Sequence, residues 1–254
     1  PNLAKVGTTV ESRVAPFVYR RSRMITLSPS SRDEMLELGF RPDRVDVVPP
    51  GVDARFTPGG ERAERPLVLA VGRLAPVKRF DRLIRAAAAA RADAPDLELV
   101  IAGAGPLRHE LQDLIDGLDA GGWATLAGRV DDDTLLDLYR RAWIVASSSV
   151  REGWNMTLTE AAACGTPTVA TRIPGQVDAV AEGVSGLLAD DEHEMARHLA
   201  AIATDPDLRA RLGEGALSHS ARFTWDATAR SILTALAEER ARWLDRPWRS
   251  WRRG

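Results

Sequence analysis

Short apolar runs alternate with longer amphipathic stretches over most of the chain. The apolar runs predict strands at Leu67–Val71, Leu97–Ala102, Ala124–Ala127, Trp143–Ala146, Thr168–Ala170 and Gly186–Leu188. The amphipathic stretches predict helices at Phe80–Asp93, Leu107–Leu118, Thr134–Arg141, Thr157–Cys164, Gln176–Ala181 and Glu192–Ala203. Regular alternation of strand and helix is typical of a parallel sheet, because parallel strands need crossover connections. The pattern therefore predicts an α/β fold with helices on both faces of the sheet.

The two ends of the chain depart from this alternation. The first part predicts, in order, a helix from about Thr9, a strand at Met24–Leu27, a helix with a Ser30–Asp33 capping box, and a strand at Asp43–Val48. The last helices, Pro206–Ser220 and Trp225–Arg242, have no strand after them. We expect these two helices to pack outside the sheet or to cross to another domain.

Composition narrows the class of protein. A chain of 254 residues with 44% hydrophobic and 28% charged residues can bury a sizeable core. A net charge of −2 gives no overall attraction for nucleic acid. The single cysteine, Cys164, excludes a disulfide framework, and the four scattered histidines do not predict a metal site. No apolar run reaches membrane-spanning length and no signal-peptide pattern is present, so we expect a cytoplasmic protein.

The loop Gly72–Lys78, between the first strand of the alternation and its helix, carries candidate chemistry. Lys78 is one of only two lysines among many arginines. Arg73 and Lys78 flank a tight loop beside a helix amino terminus, which is a suitable cradle for a diphosphate. The alternative is a pair of solvent-exposed cations.

A second candidate is the stretch Glu152–Ala170, a loop followed by a short helix, a Gly-Thr-Pro turn and a strand. Glu152 precedes the helix, which Asn155 or Thr157 can cap, and Glu160 lies on its second turn. The unpaired amides of the first turn suit a ligand that carries hydroxyls and phosphate. The alternative is that these carboxylates are ordinary charges near a helix start.

Two further loops give weaker signals. The glycines of Gly103–Pro106 permit close backbone approach, although helix entry alone explains them. Asp131, Asp132 and Asp133 invite a metal-binding interpretation, but they precede a helix, where aspartate is a common cap, and we favour capping.

Three motifs together resemble one family. They are the Gly-Arg-Leu-x-x-x-Lys loop at Gly72–Lys78, the pair Glu152 and Glu160, and the Glu-Ala-x-x-x-Gly-x-Pro-x-Val-Ala run that starts at Glu160. They resemble the donor-binding half of retaining glycosyltransferases of family 4, which have the two-domain GT-B fold. The resemblance extends from about Tyr19 to Leu236 and implies a Rossmann-like domain that binds a nucleotide-diphosphate sugar, with UDP and GDP donors both possible.

The resemblance implies a role for each site residue. Catalytic roles fall to Arg73 and Lys78, which would bind the pyrophosphate, and to Glu152, which would contact hydroxyls of the transferred sugar. Glu160 would accept hydrogen bonds from the ribose. The remaining donor-binding positions are Gly72 in the phosphate loop, Arg129 and Val130 near the base, the amides of Gly153, Trp154 and Asn155 near the sugar, and Met156 and Thr157 at the pyrophosphate end of the helix. No metal and no cofactor are implied.

The chain departs from the family pattern in two ways. Gly153-Trp154-Asn155 stands where Gly-Phe-Gly is common, so Asn155 is expected to add a donor and an acceptor beside the sugar. Residues 1–41 resemble only a remnant of the acceptor-side domain. We therefore expect residues 42–222 to form the donor-binding domain and the helix at 223–242 to cross toward the amino-terminal domain. We expect the chain to bind a nucleotide diphosphate without transferring sugar.

Two other functions stay open, a non-catalytic nucleotide-sugar-binding module and a sugar-nucleotide epimerase of the same architecture. The acceptor is unknown. The basic, tryptophan-rich tail, 243–254 with the arginines from Arg240 onward, predicts either weak contact with the inner face of a membrane or a frayed terminus.

Overall fold

The fold is seen in a computed structural model, which describes residues 14–245. The described residues divide into two compact units. The larger unit is Val52–Phe223, and the smaller unit combines residues 14–51 with 224–245. The two units are described separately below.

The larger unit contains a six-stranded parallel sheet in the order β5-β4-β3-β6-β7-β8. Its strands are β3 (Leu67–Val71), β4 (Glu98–Ala102), β5 (Ala124–Gly128), β6 (Ile144–Ser147), β7 (Thr168–Thr171) and β8 (Gly186–Ala189). Its helices are α3 (Phe80–Ala90), α4 (Arg108–Gly117), α5 (Asp132–Arg141), α6 (Met156–Ala163), α7 (Gln176–Ala179), α8 (Glu192–Thr204) and α9 (Pro206–Ser220). Every strand and helix that the pattern predicts between 67 and 220 is present, with ends shifted by up to three residues.

The core lies on both faces of the sheet, because successive residues of a strand point to opposite sides. Val68 and Ala70 pack into one buried cluster, and Leu69 between them packs into the other. The first cluster includes side chains of α3, α4 and α8, and the second includes side chains of α5, α6 and α7. The predicted α/β fold with helices on both faces is therefore confirmed.

The chain order of the strands reverses in the middle of this sheet. From β3 the chain winds outward through β4 to β5, and from β6 it winds the other way through β7 to β8. The loops that follow β3 and β6 therefore start from two neighbouring strands and lead in opposite directions across the sheet. In open α/β sheets this switch point is where ligands bind.

The smaller unit is built around a pair of short parallel strands, β1 (Met24–Thr26) and β2 (Val45–Val47). Its helices are α1 (Ala15–Val18), α2 (Pro29–Glu37) and α10 (Trp225–Leu244). The hydroxyl of Thr228 donates to the carbonyl of Pro49 at 2.8 Å, which joins α10 to the segment after β2. Residues 42–51, which the sequence analysis assigns to the donor-binding domain, belong to this unit because β2 pairs with β1.

Three local predictions for the smaller unit need correction or lie outside the described chain. The cap of α2 is Ser28, whose Oγ accepts from the Ser31 amide at 3.2 Å, and not Ser30. Of the helix expected from Thr9, only Ala15–Val18 is seen, and residues before 14 lie outside the described part. The tail 246–254 also lies outside it, so its expected membrane contact stays a prediction. Within residues 14–245, no helix is long and apolar enough to span a membrane.

Candidate functional site

The loops after β3 and β6 bring Lys78 and Glu152 into direct contact. The Lys78 ammonium lies 2.6 Å from Glu152 Oε1, and the Ser149 hydroxyl donates to the same oxygen at 2.7 Å. Both charged side chains are largely shielded from solvent, with 20% and 16% of their surfaces exposed. Two of the three residues predicted to be catalytic therefore form one charged centre at the switch point.

Backbone contacts hold the two loops together. Residues 76–78 form a short 3₁₀ turn, and the amide of Val150 donates to the carbonyl of Val77 at 2.9 Å. The Ser148 hydroxyl lies 2.8 Å from the carbonyl oxygens of both Lys78 and Arg79. The position of the ammonium thus depends on the serines that end β6.

The third predicted catalytic residue, Arg73, lies on the same loop but stands apart from this pair. Its side chain is exposed and has no hydrogen-bond or ion-pair partner among residues 14–245. The structure therefore does not bring Arg73 to Glu152. An unpaired guanidinium at this edge is available to an anionic ligand.

Asn155 does not have the role expected from its polarity. Its backbone is left-handed, with φ of 77°, a conformation that asparagine tolerates better than most residues. The side chain is buried: Nδ2 donates to Ser147 Oγ at 2.9 Å, and Oδ1 accepts from the Thr157 hydroxyl at 2.8 Å. Asn155 therefore turns the chain into α6 and neither caps the helix with its side chain nor presents a donor and acceptor to a sugar.

The amino terminus of α6 remains available as an anion site. Because no side chain caps the helix, the amides of Met156 and Thr157 lack a side-chain partner among the described residues. The Trp154 ring is buried edge-on against Phe223, with ring centroids 5.0 Å apart. The indole of Trp154 is therefore part of the core, and the predicted contact of the Gly153–Asn155 amides with a sugar stays a prediction.

Gly175 contacts the Glu152 loop from the turn after β7, and this contact was not predicted from the sequence. Its φ is 82°, and a β-carbon at this position would lie 2.5 Å from the carbonyl oxygen of Glu152. The Thr171 hydroxyl also donates to the carbonyl of Ser149 at 2.5 Å. The turn after β7 therefore supports the backbone that carries Glu152.

Glu160 forms a second polar centre with Tyr139 of α5. The Tyr139 hydroxyl donates to Glu160 Oε2 at 2.8 Å. Burial raises the pKa of Glu160, and the hydrogen bond from Tyr139 and the charge of Arg55 act in the opposite direction. Glu160 was predictable from the sequence but its partner was not, because nothing in the pattern of α5 distinguishes Tyr139 from an ordinary core residue.

Arg129 and Val130 line an open cavity at the end of β5. Arg55 and the three aspartates Asp131–Asp133 line the same cavity. Asp131 caps α5, since its Oδ1 accepts from the Thr134 amide at 2.8 Å, and Asp132 pairs with Arg55 at 2.8 Å. The capping interpretation is confirmed, and no cluster of potential metal ligands occurs within residues 14–245.

The loops after β3 and β4 approach each other at glycines. A β-carbon at Gly103 would lie 1.8 Å from the carbonyl oxygen of Gly72, and one at Gly105 would lie 2.4 Å from that of Leu74. The amides of Gly72 and Leu74 donate at 3.0 Å to the carbonyls of Ala102 and Ala104. The Gly103–Pro106 signal therefore reflects close backbone approach rather than helix entry alone.

The comparisons with known proteins assign the chain to a family. The family model described as glycosyl transferases group 1 matches residues 53–219. The chain belongs to this family. The matched range contains both polar centres, Lys78 with Glu152 and Tyr139 with Glu160.

Curated relatives are similar over most of the chain. D-inositol 3-phosphate glycosyltransferase of Acidothermus cellulolyticus is 39% identical over 253 residues, covering 89% of this chain and 56% of that protein. The protein of the same name from Stackebrandtia nassauensis is 38% identical and covers 92% of this chain and 58% of its own length. The chain thus spans somewhat more than half the length of these curated relatives.

Solved structures agree with the fold of the chain. HepE of Anabaena has a TM-score of 0.79 at 23% identity, with 89% of this chain and 66% of that chain covered. Sucrose-phosphate synthase of Thermosynechococcus elongatus has a TM-score of 0.80 at 24% identity, with 91% and 62% covered. At these identities the likeness concerns the fold alone, which is the Rossmann-like arrangement of GT-B glycosyltransferases.

Proposed function

We propose that the larger unit binds a UDP-sugar and forms the donor side of a retaining glycosyltransferase. The observation that carries the proposal is the Lys78–Glu152 centre at the switch point, beside the uncapped amino terminus of α6. A cation and free amides together suit a leaving diphosphate, whose negative charge grows as the glycosidic bond breaks. In this arrangement Lys78, Arg73 and the amides of α6 receive the diphosphate.

The two carboxylates divide the rest of the donor between them. Glu152 Oε1 is held by Lys78 and Ser149, which leaves Oε2 for hydroxyls of the transferred sugar. Glu160 serves the ribose, and the cavity next to Arg129 and Val130 receives the base. No metal is part of the proposed mechanism, because Lys78, Arg73 and the helix terminus supply the positive charge.

The choice of UDP and of an acceptor rests on the similar proteins. HepE was solved with UDP and with UDP-glucose, which makes UDP donors the first to test. The names of the relatives give D-inositol 3-phosphate as the first acceptor to try. Transfer to this acceptor with retention is proposed for the whole protein, and the anomeric proton coupling of the product would measure the configuration.

The division of roles can be tested by calorimetric titration of two variants. Glu160→Ala should weaken free UDP and UDP-glucose alike by about tenfold or more, since a hydrogen bond to a charged group contributes roughly 1.5–3 kcal/mol. Glu152→Ala should bind free UDP as well as the parent or more tightly, because Lys78 loses its internal partner. The same variant should lose affinity for UDP-glucose relative to UDP.

A matched control is Glu214→Ala, which removes an exposed carboxylate of α9 that has no side-chain partner among residues 14–245. This variant should bind both ligands like the parent. Equal losses of free UDP in Glu152→Ala and Glu160→Ala would refute the assignment of sugar and ribose to different carboxylates. Absence of UDP binding in the parent chain would refute the proposed donor site as a whole.

A further inference from the structure

Tyr139 is a fully buried phenol, and among residues 14–245 the only polar partner of its hydroxyl is a carboxylate of the proposed donor site. None of its surface is exposed, and its hydroxyl donates to Glu160 Oε2 at 2.8 Å. The two residues lie on different helices, α5 and α6. A buried tyrosine needs a hydrogen-bond acceptor, but a backbone carbonyl would satisfy it without an ionisable group.

One contact holds the ring of Tyr139 and another holds its backbone. Phe56 packs edge-on against it, with ring centroids 5.7 Å apart. The hydroxyl of Thr166, in the turn after α6, donates to the carbonyl of Tyr139 at 2.7 Å. The phenol oxygen therefore has a defined position from which to orient its partner.

Within residues 14–245, only one oxygen of the Glu160 carboxylate has a hydrogen-bond partner. Oε2 accepts from Tyr139, whereas Oε1 has no hydrogen-bond partner among residues 14–245 and is not among their buried unpaired atoms. One oxygen is anchored, and the other is not completely buried and has no partner among the described residues. This asymmetry distinguishes a group presented to a ligand from one that only completes a core.

We propose that Tyr139 is a positioning residue for nucleotide recognition, which anchors one oxygen of Glu160 so that the other accepts a hydrogen bond from the ribose. The inference rests on the proposed donor site and adds a residue to it. Tyr139 acts through Glu160 and does not touch the nucleotide itself.

The electrostatics of Glu160 support this role. Burial raises the pKa of Glu160 and is the largest effect; the Tyr139 hydrogen bond and Arg55 lower it, and Asp132 and Asp53 raise it. The pKa of Tyr139 lies well above its ordinary value because of burial and the nearby Glu160 charge, so the phenol stays a donor at every pH of interest. Removing the phenol hydroxyl removes a hydrogen bond that lowers the pKa of Glu160, so the raising effect of burial should increase this pKa further.

The decisive experiment compares the pH dependence of UDP binding in the full chain and in Tyr139→Phe. The variant keeps the ring and its contact with Phe56, and should bind UDP about tenfold more weakly at neutral pH, the scale of one charge-assisted hydrogen bond. As the pH falls, Tyr139→Phe should lose UDP binding at a higher pH than the parent does, because the pKa of Glu160 rises when the phenol hydrogen bond is removed. In Glu160→Gln, the UDP affinity should show no loss that follows titration of residue 160. Any pH dependence that remains in this variant measures the contribution of the UDP phosphates.

A purely structural role for Tyr139 predicts a different result. Tyr139→Phe would then lose stability, and its binding midpoint would stay where the parent's is, which would overturn the inference. Ser185→Ala is the matched control, because it removes another buried hydroxyl of the larger unit, one that accepts from the Ala181 amide at 2.8 Å. It should leave both affinity and midpoint unchanged.

A second measurement needs no change at position 139. The chain contains only two tyrosines, so ring-carbon labelling gives two signals, and Tyr19→Phe assigns them. Adding UDP should move the Tyr139 signal in the parent and not in Glu160→Gln. If the Tyr139 signal does not move at saturating UDP, the inference about Tyr139 is refuted and the donor site stands. If UDP does not bind at all, the proposed function is refuted instead.

Discussion

At the scale of single residues, the most informative contact is the ion pair of Lys78 with Glu152. The pair is shielded enough for the charges to interact strongly, and Ser149 fixes the carboxylate oxygen that the ammonium contacts. Among residues 14–245, Glu152 is the only ion-pair partner of the Lys78 ammonium, so in the proposed donor site this ammonium can turn to a diphosphate without crossing open solvent. The pair thus keeps the ammonium in place before the ligand arrives.

We predict that Lys78→Ala weakens UDP and spares uridine. Loss of the ammonium removes a charge-assisted contact with the diphosphate, which should cost roughly tenfold to a hundredfold in UDP affinity. Lys78→Arg should recover part of this loss at most, since a planar guanidinium does not replace a compact ammonium beside Gly72 and Glu152. Calorimetry with UDP, UMP and uridine measures how much each phosphate adds to the binding free energy. If Lys78→Ala lowers the affinity for uridine as much as that for UDP, Lys78 lies outside the diphosphate site.

The charged site residues could be predicted from the sequence, but their supporting partners could not. Lys78, Glu152 and Glu160 follow buried strands or lie on the next helix, so their position at one sheet edge is predictable. Ser149 and Tyr139 contact them only through the tertiary fold. The burial of the Asn155 side chain was also unpredictable, because it depends on a left-handed backbone that local polarity does not reveal.

At the scale of elements, the strands were predictable because burial on both faces leaves near-continuous apolar runs. Helix starts were harder, since several hydroxyl and carboxylate side chains near each start can cap it. Ser28 rather than Ser30 begins α2, and α6 begins without a side-chain cap. The glycines of Gly103–Pro106 indicated that a backbone could approach there, but the sequence did not show that the approaching segment is the loop after β3.

We predict that Gly103→Ala strongly destabilises the larger unit. The added carbon would lie 1.8 Å from the Gly72 carbonyl oxygen, and the φ of 153° is unfavourable for other residues. Relief must come from backbone movement, so the cost should be at least about 1–3 kcal/mol of overpacking. The matched control is Gly117→Ala at the end of α4, where the new carbon meets nothing within 4 Å and stability should be kept or slightly raised. Urea unfolding of both variants measures the difference, and equal stability would contradict the close approach.

At the scale of the whole molecule, the only cysteine reports on the integrity of the larger unit. Cys164 ends α6, is 2% exposed and has its pKa raised to about 11 by burial. A thiol of this kind reacts only when the surrounding structure opens, since both access and thiolate are lacking. Its reactivity therefore measures opening of the helix that carries Glu160.

We predict that the native chain reacts with a thiol reagent at neutral pH at least about a thousandfold more slowly than the unfolded chain. UDP should slow the reaction further in proportion to its saturation, because a ligand that binds only the folded state stabilises it. The chain in guanidinium chloride should react at once with one equivalent and serves as the control. Immediate reaction of the folded chain, or protection unaffected by saturating UDP, would contradict the prediction.

The reversal of strand order at the centre of the sheet also has a kinetic consequence. Contacts within β3-β4-β5 and within β6-β7-β8 join segments that follow one another along the chain, whereas the β3–β6 pairing of Val68 with Ile144 closes a long loop between the two halves. Loop-closure entropy makes such a pairing slow relative to local contacts. Lys78 belongs to the first half and Glu152 to the second, so we expect their pairing to appear late in folding, with the ability to bind ligand among the last properties the chain acquires.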